Sequence, residues 1–305
     1  MSNGTQRSVV HSSHPSRRAF LAGVAAASLG GAGCVAAGSP EQVSILAAGS
    51  LQRALRSGFR EAVEDPITVE AHGSVAAARM VAAGQRDPDL VALADPGLFS
   101  SVLDAPWHAV IATNALALAY DPDSDGGRRV AGADPWYGPL FGDGVALGRT
   151  DPDLDPLGYR TLFALQLAGA RADRPDLADE VLDHGQVYPE TGLLSAFETG
   201  PLAAAFVYRS MAVDRGYPRV DLPDAVDLSD PARADEYARA SYRLPNGTLV
   251  RGDAIRYGAW LRGERSAARR VFRALARGTA LTDHGFTLPA AYPRYDGTVP
   301  ASLRV

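Results

Sequence analysis

From residue 42 onward, the chain alternates short apolar runs with amphipathic stretches. Residues 42–48 have the composition of a buried strand, Gly49 and Ser50 break this run, and the amphipathic residues 51–63 predict a helix. A second strand, turn and helix and then a third strand follow at residues 67–71, 73–74, 75–83 and 90–94. Strands and helices that alternate at this spacing predict a parallel sheet with helices on both faces, which binds ligands at the carboxyl ends of its strands.

The second part of the chain repeats this pattern. Two apolar runs, 109–113 and 115–120, precede a polar turn at residues 121–127, where we place the crossing into a second lobe. Further strands are predicted at 145–148, 203–208 and 254–261, and further helices at 156–170, 190–198 and 266–277.

These elements predict an α/β fold of two lobes, joined by strand crossovers, with a hinge and a ligand cleft between them. We assign residues 34–112 and 254–305 to lobe 1 and residues 113–253 to lobe 2. The chain is therefore expected to begin and end in lobe 1.

The composition is that of a globular, acidic protein. Hydrophobic residues make up 46% of the chain and charged residues 21%, which excludes a disordered chain and a membrane bundle. The formal net charge is −5, and all 30 basic residues are arginines that form no basic run. Because nucleic-acid-binding proteins need clusters of positive charge, the chain is predicted to have no nucleic-acid partner.

The first 33 residues have the pattern of an export leader. Arg17 and Arg18 open a run of small apolar residues that ends at Cys34, which is typical of a twin-arginine signal followed by a lipoprotein cleavage site. We expect cleavage before Cys34 and attachment of lipid to it, which anchors the exported protein to the outer face of the cytoplasmic membrane. The alternative is an ordinary secretory signal with a chance cysteine. Cys34 is the only cysteine, so neither an internal disulfide nor a cysteine-based metal site is possible.

Five polar residues lie where the predicted elements begin or end. Ser50 and Ser74 follow strands at the starts of helices, where each could cap its helix or help the free N–H groups to bind an anion. Asp155 precedes a proline and so has the position of a helix cap, and Glu190 opens a helix, where the helix dipole favours an acid. Tyr208 ends a strand. Each residue taken alone has an ordinary structural interpretation.

Other patterns give weaker indications. The segment that starts at Asp121 has the first residues of a calcium-binding loop, but its twelfth position is Gly132 instead of a bidentate glutamate. The six histidines have no metal-ligand spacing, and His72 is interpreted as structural. The chain has neither a Gly-x-Ser-x-Gly nucleophile elbow nor a phosphate-binding Gly-Lys loop, so neither a hydrolase nor a nucleotide-binding protein is indicated.

The order of several short motifs carries a more specific signal. They are Ile45-Leu46-Ala47-Ala48-Gly49-Ser50-Leu51, His72-Gly73-Ser74, Asp155-Pro156-Leu157-Gly158-Tyr159-Arg160, Ala205-Phe206-Val207-Tyr208-Arg209-Ser210, Asp221-Leu222-Pro223 and Leu228-Ser229-Asp230-Pro231. In this order they resemble the extracellular molybdate- and tungstate-binding proteins of ABC importers, particularly the archaeal-type subgroup, over most of the chain after the leader. The resemblance implies a two-lobed periplasmic-binding-protein fold, with an ABC permease and its ATPase as partners.

The resemblance also implies a set of ligand-binding residues. The two turn serines of that family, which donate to the anion, match Ser50 and Ser74, and its strand-ending tyrosine matches Tyr208. In the archaeal-type subgroup two carboxylates complete the site, and they match Asp155 and Glu190. The resemblance therefore implies a binding protein, not an enzyme, with molybdate or tungstate as its ligand and no cofactor.

Two carboxylates beside a dianion are unfavourable unless they touch its metal, since like charges in a dry cleft repel strongly. Mo(VI) and W(VI) are hard centres that take extra oxygen ligands, so Asp155 and Glu190 could extend the four-oxygen anion towards six-coordination. Sulfate and phosphate cannot expand in this way, so the same two acids would also reject sulfate. Three alternatives stay open: a sulfate or phosphate binder whose acids are helix caps, a secreted enzyme that uses one acid as a general base, and a structural or signalling module.

Overall fold

The computed structural model describes residues 42–289 and 291–305. The predicted leader and Cys34 lie outside these residues. Within the described part, no helix is long and apolar enough to cross a membrane.

The strands form two large sheets and one hairpin. Within the described residues they are β1 (Val43–Ala48), β2 (Ile67–His72), β3 (Leu90–Leu93), β4 (Trp107–Thr113), β5 (Leu116–Tyr120), β6 (Leu147–Thr150), β7 (Gln186–Tyr188), β8 (Ala204–Tyr208), β9 (Arg219–Asp221), β10 (Ser241–Arg243), β11 (Leu249–Arg251), β12 (Arg256–Leu261) and β13 (Arg294–Gly297). The first sheet has the order β13-β4-β12-β3-β1-β2, the second has the order β7-β6-β8-β5-β9, and β10 pairs with β11. The two sheets are the centres of the two predicted lobes.

Each sheet is parallel on one side and antiparallel on the other. In the first sheet, β1 runs parallel to β2 and β3, so that Ile45 lies opposite both Val69 and Leu90. β12 pairs antiparallel with β3 and β4. In the second sheet, β6 is parallel to β7 and β8, whereas β5 is antiparallel to β8 and β9. The sheets are mixed because β5 and β12, which enter from the other lobe, run against the helix-connected strands.

Helices flank both sheets, as the alternating pattern predicts. In the described residues they are α1 (Gln52–Ala54), α2 (Arg60–Ala62), α3 (Ser74–Ala82), α4 (Gly97–Ser101), α5 (Asp125–Val130), α6 (Pro156–Ala172), α7 (Leu177–Asp183), α8 (Glu190–Glu198), α9 (Arg209–Arg215), α10 (Ala234–Tyr237), α11 (Ser266–Ala276) and α12 (Thr279–Thr282). A 3-10 turn at Gly49–Leu51 and a π turn at Leu55–Phe59 join α1 and α2 into one continuous helical stretch. The helix predicted at 51–63 is therefore present, with irregular hydrogen bonding.

The first crossing between the sheets lies just after the lobe boundary at residue 112 and before the polar turn at 121–127, so the turn itself is not the crossing. β5 already belongs to the second sheet, and the chain passes from β4 to β5 through Asn114 and Ala115. The polar turn leads into α5, where the Ser124 hydroxyl accepts a hydrogen bond of 2.9 Å from the Gly127 amide. A polar turn within a lobe and a polar linker between lobes have the same composition, which explains the error.

The central strands are almost completely buried. Every residue of β3 and of β8 is buried, and only one residue of β1 is not. Strands that are covered on both faces consist of continuous apolar runs, which is the pattern these segments show. The rigid strands fix the positions of the turns that follow them, and those turns form the site.

Candidate functional site

Two glycine-serine turns of lobe 1, at residues 49–50 and 73–74, lie at one edge of the first sheet. They follow β1 and β2, which are parallel neighbours with Ala48 opposite His72. Since parallel strands end at the same edge, both turns and the backbone N–H groups they expose face the same cleft.

Neither serine caps its helix. The cap positions are occupied by Ala48 and Gly73, and no side-chain hydrogen bond caps either helical start. Ser50 and Ser74 instead lie inside the first helical turns, and both are buried. The interpretation of these residues as simple helix caps is therefore wrong.

Both serine hydroxyls accept hydrogen bonds from their own lobe. Ser74 Oγ accepts from the Ala94 amide at 2.9 Å, and Ser50 Oγ accepts from the Tyr257 hydroxyl at 3.1 Å. The Tyr257 hydroxyl in turn accepts from Nδ2 of Asn114 at 3.3 Å. Because a hydroxyl can donate and accept at the same time, each serine keeps a proton to donate to a ligand.

Asp155 caps α6 and also has a buried oxygen without a partner. Its Oδ1 accepts from the Leu157 amide at 3.3 Å, with Pro156 at the first helical position, as the sequence predicts. Its Oδ2 is buried and has no hydrogen bond of good geometry within the described residues, although the Thr150 hydroxyl lies near enough to act on the carboxylate. Burial raises the pKa of Asp155 to about 6. A buried carboxylate oxygen without a hydrogen bond is costly, and such a group is a candidate ligand.

Glu190, the first residue of α8, reaches across the cleft to lobe 1. Its Oε2 accepts from the Gly49 amide at 2.7 Å, and its Oε1 accepts from the Ser50 amide at 2.9 Å. The side chain is buried, and burial together with the negative charge of Asp155 raises its pKa well above the ordinary value. The carboxylate thus occupies an amide pair that suits any oxygen anion.

Tyr208 ends β8 and is completely buried. Its hydroxyl accepts a hydrogen bond of 2.8 Å from Nη1 of Arg160, and its ring lies 5.9 Å from the ring of Tyr257. Burial raises the pKa of Tyr208 well above its usual value, with a smaller contribution from the charges of Asp155 and Glu190. The hydroxyl is therefore neutral and able to donate.

The two lobes touch directly beside this cleft. The Ala76 amide of α3 donates to the Leu154 carbonyl at 3.1 Å, and Arg79 donates to the Asp153 carbonyl at 3.1 Å. A Cβ atom on Gly73 would lie only 2.5 Å from the Leu154 carbonyl oxygen, so the two backbones approach as closely as glycine allows. This is a closed arrangement of the lobes.

The structure brings the five predicted side chains into one cleft. Turn 49–50 bonds to Glu190, turn 73–74 packs against Asp155, and the charges of both acids act on Tyr208. Sequence reasoning did not single out three further polar residues: Asn114, Arg160 and Tyr257. Arg160 was part of a quoted motif, and its position in an otherwise apolar helical turn was a signal that could have found it. These buried residues combine N–H and O–H donors with two carboxylates, a set of groups that suits a small oxyanion.

Two α/β lobes that close on such a cleft define the class of two-lobed periplasmic binding proteins. The chain belongs to the family described as bacterial extracellular solute-binding proteins, whose model matches residues 43–278. It is therefore an exported solute-binding protein and not an enzyme.

Similar proteins are found both among known sequences and among solved structures. The chain is 55% identical, over 93% of its length and 96% of the other, to a Haloferax volcanii protein provisionally named ABC transporter molybdenum-binding protein. It is 27% identical, over 74% of its length and 78% of the other, to the molybdate/tungstate-binding protein WtpA of Pyrococcus abyssi. These relatives confirm the resemblance stated from the sequence motifs.

Solved structures with low sequence identity share the fold. The periplasmic molybdate-binding protein of Azotobacter vinelandii matches 81% of this chain and 100% of its own with a TM-score of 0.56 at 12% identity. The sulfate-binding protein SubI of Mycobacterium tuberculosis H37Rv matches 80% of this chain and 86% of its own with a TM-score of 0.55 at 12% identity. The fold therefore occurs in proteins named for different oxyanions, and the fold alone does not identify a ligand for this chain.

Proposed function

We propose that the protein captures molybdate or tungstate outside the cytoplasm and delivers it to an ABC importer. The observation that carries this proposal is the pair of buried carboxylates, Asp155 and Glu190, in the same closed cleft as the two glycine-serine turns. The names of the relatives from Haloferax volcanii and Pyrococcus abyssi support the same ligand class.

The electrostatics of the cleft favour an anion with an expandable metal centre. The ionised forms of the two buried acids are already disfavoured in this site. A dianion that presented only its own oxygen atoms to these carboxylates would add further repulsion. Molybdenum and tungsten relieve this repulsion, since each can accept carboxylate oxygens as fifth and sixth ligands. Oδ2 of Asp155, which is buried without a hydrogen bond, is the oxygen we assign to such a bond.

The remaining contacts of the oxyanion come from donors. The hydroxyls of Ser50, Ser74 and Tyr208 and the amides of the two turns supply hydrogen bonds to the oxo groups. For the Gly49 and Ser50 amides to bind the ligand, the Glu190 carboxylate must move from these amides to the metal. The ligand thus takes over the bridge that Glu190 makes between the lobes.

The proposed partners and location follow from the transport role. A permease and its cytoplasmic ATPase receive the oxyanion, and a lipid on Cys34 holds the protein at the outer face of the cytoplasmic membrane. Lipid attachment is tested by mass spectrometry of the protein from its native membrane, with Cys34→Ser as the control.

Calorimetric titration of the leaderless protein with tungstate, molybdate, sulfate and phosphate at matched salt tests the ligand. We expect one-to-one binding of the first two anions and no heat from the others. Sulfate binding of similar strength would reduce the two acids to helix caps, and absence of binding to all four would overturn the proposal. X-ray absorption of the tungstate complex checks the coordination, and a four-coordinate tungsten would contradict the role of the acids.

A further inference from the structure

Arg160 occupies an unusual position for a cation. It lies in α6, five residues after Asp155, and only 5% of its surface is exposed. Among the described residues, no other arginine is buried to this extent. Its guanidinium carbon lies 5.9 Å from the ring centre of Tyr159 and 5.7 Å from that of Tyr208. Burying a charge is costly, so a cation held here between two rings calls for a specific function.

The hydrogen bond from Arg160 fixes the direction in which Tyr208 can donate. A guanidinium only donates, so the Tyr208 oxygen must be the acceptor of the 2.8 Å bond. The Tyr208 proton must then point elsewhere, and the hydroxyl makes no second hydrogen bond within the described residues. The charges of Asp155 and Glu190 act on this hydroxyl, so both acids of the candidate site lie near it. A ligand in this cleft meets a tyrosine proton that has no competing acceptor.

Arg160 also brings positive charge to an acidic site. Its charge opposes the effect of burial on the pKa of Asp155. A bound dianion would add negative charge to a cleft that already contains two carboxylates. The buried guanidinium is the cation of this set of residues, and its charge also interacts with that of Asp95 outside the set.

We infer that Arg160 is a positioning residue of the anion site: it holds the Tyr208 hydroxyl as a donor to the bound oxyanion and balances the charge of the cleft. The inference rests on the proposed function, because it requires an oxyanion as the ligand. It assigns Arg160 a function without direct contact with that ligand.

A double-mutant cycle with tungstate tests the inference. We expect Arg160→Met to weaken tungstate binding about 100-fold, since a charge-assisted hydrogen bond and a buried charge are lost. In a Tyr208→Phe background the same substitution should weaken binding by no more than about tenfold, because only the charge effect remains. Arg160→Lys, which keeps the charge, should restore part of the affinity. Arg171→Met, in the same helix but at an exposed ion pair with Glu236, is the matched control.

The outcomes separate this inference from the proposed function. If the wild-type protein binds no tungstate, the proposed function and the inference fail together. If the wild-type protein binds tungstate and Arg160→Met costs the same factor in both backgrounds, or has no effect, only the inference fails. If Arg160→Met does not fold, Arg160→Lys replaces it in the wild-type and Tyr208→Phe backgrounds. An equal loss of tungstate affinity in both backgrounds would then overturn the inference.

Discussion

The Gly49 amide of lobe 1 and the Glu190 carboxylate of lobe 2 form a hydrogen bond of 2.7 Å between Gly49 N and Glu190 Oε2. The Ser50 amide completes the contact with Oε1 at 2.9 Å. A carboxylate held by two amides at a helical start is a geometry that an oxyanion can also adopt. Glu190 therefore marks the position of the proposed anion site and joins the lobes across it.

We expect Glu190→Gln to weaken tungstate binding by about 100-fold or more. The amide keeps the size of the side chain but loses the charge that binds a metal centre, and a lost charged contact costs a few kcal/mol. Calorimetric titration measures the change. Glu198→Gln lies in the same helix, at an ion pair with Arg215 near the surface, and should leave the affinity unchanged. Equal affinity of Glu190→Gln and wild type would remove Glu190 from the site.

Asp155→Asn should make the ligand-free protein more stable at neutral pH. Burial raises the pKa of Asp155 from 3.8 to about 6, so the folded state binds the proton more tightly than the unfolded state. Stability is therefore lost as pH rises from about 4 to about 6, and the full loss persists above that range. Asparagine does not titrate and still caps the helix.

The stability of this variant is measured by urea unfolding without ligand at about pH 3.5 and about pH 7.5, which lie on either side of the transition. The advantage of Asp155→Asn should be small at the lower pH and reach at most about 3 kcal/mol at the higher pH, since one pKa unit corresponds to about 1.4 kcal/mol. Opening of the lobes hydrates the acid and reduces this value. If the stability gain of Asp155→Asn did not depend on pH, burial of the ionised Asp155 carboxylate would not be destabilising.

Gly73→Ala is expected to hinder closure without destabilising lobe 1. The backbone at Gly73, with φ −56° and ψ 137°, is allowed for alanine, but the new Cβ would lie 2.5 Å from the Leu154 oxygen of the other lobe. Tungstate affinity should fall about tenfold or more while the melting temperature of the ligand-free protein stays the same. Gly138→Ala, whose Cβ would make only ordinary contacts at 3.8 Å, is the control. Unchanged affinity in Gly73→Ala would mean that binding does not need this closed contact.

Ser74→Ala should lower stability even without ligand. Its hydroxyl is the acceptor for the buried Ala94 amide, and an amide left without a partner costs about 1–3 kcal/mol. Urea unfolding of the ligand-free protein measures the loss. Ser100→Ala, at an exposed position of α4, should change stability little. If Ser74→Ala affected binding alone, the hydroxyl would have no structural function.

Much of the fold could be predicted from the hydrophobic pattern. The helix expected at 156–170 spans Pro156–Ala172, and the helix expected at 190–198 spans Glu190–Glu198. Proline and first-turn acids mark helix starts because of local chemistry that needs no knowledge of the rest of the chain. The polar turn at 121–127 looked more like a linker than the short interruption at Thr113 and Asn114, because the role of Asn114 depends on Ser210, 96 residues away.

The sequence indicated the five side chains of the candidate site but not the residues that contact them. The five residues lie at the ends of strands or the starts of helices, which is where proteins of this fold class bind ligands. Tyr257, in contrast, is 207 residues from the Ser50 hydroxyl to which it donates, and it looks like an ordinary core aromatic in the sequence. Contacts of this range depend on how the returning strand packs, which a single sequence does not encode in any local pattern.

An importer that responds to the closed shape would hydrolyse ATP without cargo if its binding protein closed empty. Here the empty closed cleft buries two acids, Asp155 and Glu190, and their lost hydration and mutual repulsion raise its free energy even though two amides hold Glu190. If the two acids bind the metal centre as proposed, an open form in which both acids meet water would be favoured until the ligand arrives. On the proposed function, the same two carboxylates would also couple energy use by the importer to the presence of cargo.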